Sequence, residues 1–162
     1  MRDDLRGKLG AIRNELRAIP DSFMFAEFPD GADRTDGLPE GLADLLSVTD
    51  GPRAGMLTVC STARLPGSQF YCDDIPALAG GRIDWLCFAI AFGVPLMIER
   101  ATGAVWWFPV LDSESYPDSA FERLTGDVGE FVDHYVLGPG YREISPSDDD
   151  WWTQFLTRTG RI

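Results

Sequence analysis

The chain has 162 residues, 44% hydrophobic and 12% aromatic, which suits one domain (residues 1–162) with its own core and excludes a mostly disordered chain. Fourteen basic residues face 26 acidic ones, giving a net charge of −12. So acidic a surface repels phosphate backbones, which argues against direct nucleic-acid binding and favours a basic protein as partner.

From Asp3 to Ile19, Leu5, Leu9, Ile12, Leu16 and Ile19 recur at spacings of four and three with charged residues opposite, the pattern of an amphipathic helix ended by Pro20. The N-terminal residues lack the apolar core of a secretory signal, so a cytoplasmic location is expected. Pro20 to Gly37 reads as an irregular loop with at most one short strand. A second helix opens at Leu38, with Pro39 and Glu40 in its first turn, and stops at Asp50-Gly51-Pro52. Met56 to Ser61 is a candidate strand, Leu65 to Tyr71 a second, and Cys72 to Gly81 is loop-like and acidic.

Asp84 to Leu111 is the densest apolar and aromatic stretch. Gly93 and Arg100-Ala101-Thr102-Gly103 divide it into three strands joined as hairpins, and the same breaks leave it short of the roughly 20 apolar residues of a membrane span. Strict alternation sets Trp85, Cys87, Ala89 and Ala91 on one face and Leu86, Phe88, Ile90 and Phe92 on the other, while Trp107 points away from Trp106 and Phe108. Both faces are apolar, so helices are expected to cover both. After a polar crossing at Asp112 to Asp118, Phe121, Leu124, Val128, Phe131, Val132, Tyr135 and Val136 make one face of a helix running from Ser119 to Leu137. Gly138-Pro139-Gly140 ends it, and a last helix from Asp148 to Thr157 carries Trp151, Trp152, Phe155 and Leu156 as its apolar side.

Chemical constellations are sparse. Cys60, Cys72 and Cys87 are odd in number and lack Cys-x-x-Cys spacing, so buried reduced thiols are expected rather than zinc or a disulfide framework. His134 is the only histidine, and no Gly-x-Ser-x-Gly elbow accompanies it. Asp148-Asp149-Asp150 read as helix caps, Asp73-Asp74 as an exposed loop pair open to use as an acidic docking patch, and the Gly-rich stretches as turns. One indole of each pair, Trp106-Trp107 and Trp151-Trp152, belongs to the core. The other is available to anchor a partner.

Taken in order, Leu38-Pro39, Leu42, Leu45, Leu46 and Gly51, then Trp85 and Gly93, then Glu99, Thr102, Gly103 and Val105, and finally Phe121, Phe131 and Val132 resemble the SUKH superfamily, whose founding member regulates yeast cell-wall glucan synthesis. The chain departs from that pattern at Pro52 of Asp50-Gly51-Pro52 and at Glu99. The resemblance implies an α+β fold with one mostly antiparallel sheet flanked by N-terminal and C-terminal helices. It also implies a bacterial immunity protein, without catalytic residues, metal or cofactor, that neutralises a toxin, commonly a nuclease or deaminase, by stoichiometric occlusion. The alternative is an intracellular regulatory or scaffold module of the same fold, and a more distant one is a small hydrolase using paired carboxylates. Combined with the charge, this reading places partner binding on Tyr71, Asp73, Asp74, Trp107, Asp112, Glu114 and Asp118, with no nucleic acid and no membrane involved.

Overall fold

The computed structural model describes residues 3–109, 117 and 120–162. Within them the chain forms one seven-stranded antiparallel sheet whose spatial order is its sequence order. The strands are β1 (Ala26–Glu27), β2 (Arg53–Ala54), β3 (Leu57–Val59), β4 (Trp85–Ala91), β5 (Val94–Glu99), β6 (Val105–Trp107) and β7 (Glu122–Thr125). The helices are α1 (Asp3–Arg17), α2 (Glu40–Val48), α3 (Val128–Phe131), α4 (Tyr141–Ile144) and α5 (Trp151–Arg158). A π turn at Val132–Val136 prolongs α3. The fold class is thus α+β, with the sheet flanked by N-terminal and C-terminal helices. No described helix is long and apolar enough to cross a membrane.

The helices all lie on one face of the sheet. Leu5, Leu9, Ile12 and Leu16 of α1 join Leu42, Leu45 and Leu46 of α2, Phe131 beyond them, and Trp152, Phe155 and Leu156 of α5 over Leu86, Phe88, Leu96, Ile98 and Val105. Among the described residues the other face carries no α-helix, contrary to the expectation of helices on both sides. Its smaller core of Cys72, Leu78, Trp85, Cys87, Met97 and Phe108 is roofed by a 3₁₀ segment, Leu65–Cys72, and the loop that follows. This corrects the strand expected at Leu65 to Tyr71. Its inward residues Leu65, Gln69 and Cys72 are spaced by four and three, a helical interval, and Pro66 stands in its first turn. Gln69 then supplies what a strand would have. Where β3 has ended, its carboxamide accepts from the Cys87 N–H at 3.1 Å and donates to the Cys87 carbonyl at 2.9 Å.

Three further expectations change. A bulge between Cys87 and Ala89 interrupts the alternation of β4, so Ala89 and Ala91 join Leu86 and Phe88 on the helical face while Ile90 turns toward Trp85. The helix expected from Ser119 begins only at Val128, because Glu122–Thr125 pair with β6 as an edge strand. Asp127 caps the helix by accepting from the Glu130 N–H at 2.8 Å, and Glu130 accepts from the Gly126 N–H at 2.7 Å. Pro39 is the residue before α2 rather than part of its first turn, held extended at φ −52° and ψ 138°.

The turns agree with the expected hairpins. Phe92 and Gly93 both have positive φ between β4 and β5, as a two-residue hairpin turn requires. Between β5 and β6, Gly103 sits at φ 77°, its N–H donating to the Glu99 carbonyl at 2.8 Å, and the Thr102 hydroxyl donates to the Glu99 carboxylate at 2.6 Å. One guanidinium ties the helical layer to the loop beneath it. Arg13 of α1 donates to the carbonyls of Phe28, Pro29 and Val48 at 2.9, 2.6 and 2.6 Å, the last being the final residue of α2.

Candidate protein-binding surfaces

The 3₁₀ face carries three of the residues expected to bind a partner. Tyr71 is half-buried against the smaller core and lies against Phe70 at 4.1 Å between ring centroids. Asp73 follows as the C-cap and is engaged on both oxygens by Arg82, with Nε to Oδ1 at 2.7 Å. Those bonds hold its carboxyl below the ordinary carboxylate range. Asp74 is exposed in the left-handed conformation at φ 57°. Because Arg82 offsets Asp73, this surface is less acidic than its Asp-Asp pair suggests, and exposed Phe70 and Ile83 stand beside it.

Trp107 belongs elsewhere. It packs on the helical side of the sheet, in a groove of about 330 Å³ lined by Phe92, Val94, Trp107, Pro109, Ile144 and Pro146, with Glu143 at its edge. Trp107 and Tyr71 pack against the cores on opposite faces of the sheet, so these two side chains do not share one patch. Asp112, Glu114 and Asp118 lie outside the described residues.

A larger groove, of about 590 Å³, brings together pieces that are far apart in the chain. Pro39, Glu40, Gly41 and Asp44 at the start of α2 face the Arg100–Gly103 turn and Asp127–Gly129 at the start of α3. Arg100 is anchored there through its Nε, which donates to the carbonyls of Arg82 and Trp85 at 3.1 and 3.2 Å.

The fourth surface was largely missed in the sequence. Phe23, Met24, Met56 and Trp151 are 63%, 73%, 65% and 69% exposed. Trp151 stacks on Phe25 at 5.9 Å and 19°, and the two line a groove of about 460 Å³ with Ile19, Met24, Phe155 and Asp21. Met56 is brought close by the tight β2–β3 turn, where the Gly55 N–H donates to the Phe25 carbonyl at 2.7 Å. The Trp151-Trp152 doublet was the one usable signal. It divides as expected, with Trp152 fully buried and its indole donating to the Val136 carbonyl at 2.8 Å, so Trp151 is not on the apolar side of α5.

All three cysteines are free and buried, and burial raises each thiol above its ordinary value. His134 lies on the helix surface with Nε2 3.7 Å from Glu143. Asp150 caps α5 by accepting from the Thr153 N–H at 2.7 Å, and its other oxygen accepts from the Tyr141 hydroxyl at 2.6 Å. Among the described residues no group of three His, Cys, Asp or Glu side chains is arranged to hold a metal ion. Comparison of the chain with protein-family models, with curated proteins and with solved structures finds no match.

Proposed function

We propose that the chain is a cytoplasmic, non-enzymatic protein-binding domain of the SUKH type, which neutralises a basic bacterial toxin of nuclease or deaminase class by covering its active site one-to-one. The observation that carries this reading is the coincidence of a net charge of −12 with large apolar side chains left in water at Phe23, Met24, Met56 and Trp151. Charge of one sign steers an oppositely charged partner, and exposed aromatic and methionine side chains supply the contacts that hold it. Convergence supports the family resemblance. Pro39 and the Thr102-Gly103 turn, remote in sequence, line the same groove, and α1, α2, the hairpins and α3 follow in the order the resemblance implies.

The test is co-expression with the product of the adjacent reading frame, followed by measurement of complex mass and of that product's activity. Inhibition complete at equimolar ratio is expected. A complex that leaves the partner's activity intact would favour the scaffold reading, and the absence of any complex would remove the immunity reading.

A further inference from the structure

We infer that the end of the molecule formed by Met24, Phe25 and Trp151 is a docking site for a basic protein segment that inserts one apolar side chain between flanking lysines or arginines. This deepens the protein-binding reading and rests on it.

Four observations narrow the occupant. Trp151 is exposed yet held in place. Asp150 fixes the first turn of α5 through Thr153 and Tyr141, Trp152 anchors the next position, and Phe25 supports the indole from beneath. Such a tryptophan loses little entropy on binding, and tryptophan is enriched among residues that dominate interface energetics. Its groove, about 460 Å³ and walled by Ile19, Met24, Phe25 and Phe155, has the size and polarity for an apolar side chain, with methionine able to adapt its shape.

Strand β1 is only two residues long, and the backbone carbonyls that flank it are engaged. Arg53 occupies the carbonyls of Phe23 and Met24, and Arg13 those of Phe28 and Pro29, which leaves little edge for an added strand and favours binding through side chains. Charge then selects the partner. Asp21 lines the groove and exposed Asp148 and Asp149 precede Trp151, three acids against two bases, Arg158 in the groove wall and Arg53 on the Phe23 and Met24 carbonyls. A second copy of this chain would bring another −12 to the contact, whereas a basic segment is drawn to it.

The probe is a glycine-capped Lys-Arg-Leu-Arg-Lys peptide titrated into the isotopically labelled full chain, with the Trp151 indole resonance identified by Trp151→Phe. The expected result is saturable shifts at the Trp151 indole and at the amides of Asp21, Phe25 and Gln154. Replacing the peptide's leucine by serine should weaken binding about tenfold, as should Trp151→Ser in a protein whose melting temperature is unchanged. Asp21→Lys should weaken it severalfold and flatten its salt dependence. Shifts centred on Asp74 or on the Glu40–Asp44 groove, equal binding by Trp151→Ser, or no binding would overturn the site. So would a concentration-dependent dimer that buries Trp151. If the adjacent reading frame's product binds wild type and Trp151→Ser equally, this site falls while protein binding stands. If the peptide binds as expected and that product does not, only the immunity reading falls.

Discussion

The two faces of the sheet solve the same problem by different means. On the helical face, stripes of leucine, isoleucine and aromatic side chains from five helices bury the strands. On the other, a short 3₁₀ segment brings few apolar side chains but carries Gln69, whose single carboxamide takes over the donor and acceptor of Cys87 where β3 stops. Burial scales with apolar area and tolerates small changes in geometry, whereas a buried polar pair is worth little net and costs much when one partner is lost. The thick face is therefore sensitive to volume. The thin face is sensitive to one functional group.

The largest expected effect tests the thick face. Phe131, fully buried and packed edge-on against Phe88 at 5.5 Å, should cost about 4 kcal/mol when changed to Ala, read by urea denaturation. A loss under about 1 kcal/mol would mean that the helical layer can collapse onto the gap. On the thin face, Gln69→Met keeps the volume but strands the N–H and carbonyl of Cys87, for an expected loss of about 3 kcal/mol. A neutral outcome would mean that packing alone holds that face.

Arg13→Met comes next, at about 2 kcal/mol, because three carbonyls lose a charged donor while water can reach part of the site. Gly103→Val should cost about 1 kcal/mol by calorimetry, since space around the turn is open and only the positive φ opposes a side chain. A variant as stable as wild type would count against the hairpin geometry.

At neutral pH the last effect vanishes. Burial raises the Cys87 thiol on the thin face and the Tyr141 phenol on the thick face, so both keep their protons in the folded state at pH values where the unfolded groups ionise. Stability should hold up to about pH 9, the ordinary thiol value, and decline above it by up to about 1.4 kcal/mol per pH unit for each such group. Cys87→Ala and Tyr141→Phe should each make the decline shallower. Unchanged slopes would place the alkaline sensitivity elsewhere.

Much of the thick face was legible because helical spacing records burial directly: Leu5 through Leu16 and Leu42 through Leu46 face inward as their intervals require. The thin face was not, because its roof depends on one glutamine whose partner is 18 positions away and on a bulge that no local pattern announces. Edge strand β7 was hidden by apolar residues whose spacing also suits a helix, although Asp127 and Glu130 at a capping interval marked the true start of α3. Of the expected binding residues, Asp73 and Asp74 are exposed, as a loop pair should be, while Tyr71 is half-buried at the end of a 3₁₀ segment instead of a strand. Asp73 could not be seen to meet Arg82, nor Trp107 to lie across the sheet, since both depend on tertiary placement. Phe23 and Met24 lie in the stretch read as an irregular loop and Met56 at the start of a candidate strand, where no periodic pattern says which side chains stay in water.

The strand order β1 to β7 also has a kinetic meaning. Each strand pairs with the one synthesised just before it, so the sheet can grow in chain order during translation, with short hairpins from β4 to β6 and longer connections from β1 to β2 and from β3 to β4. The helical layer cannot follow the same schedule. Lys8 of α1 meets Asp133 at 2.5 Å, and Glu15 meets Arg161 through bonds of 2.9 and 3.0 Å, so α1 gains these contacts only after residues more than a hundred positions further along have been made. Until then part of the apolar strand face that α1 and α5 share lacks its cover, the kind of exposed surface that makes a partly made chain prone to aggregate.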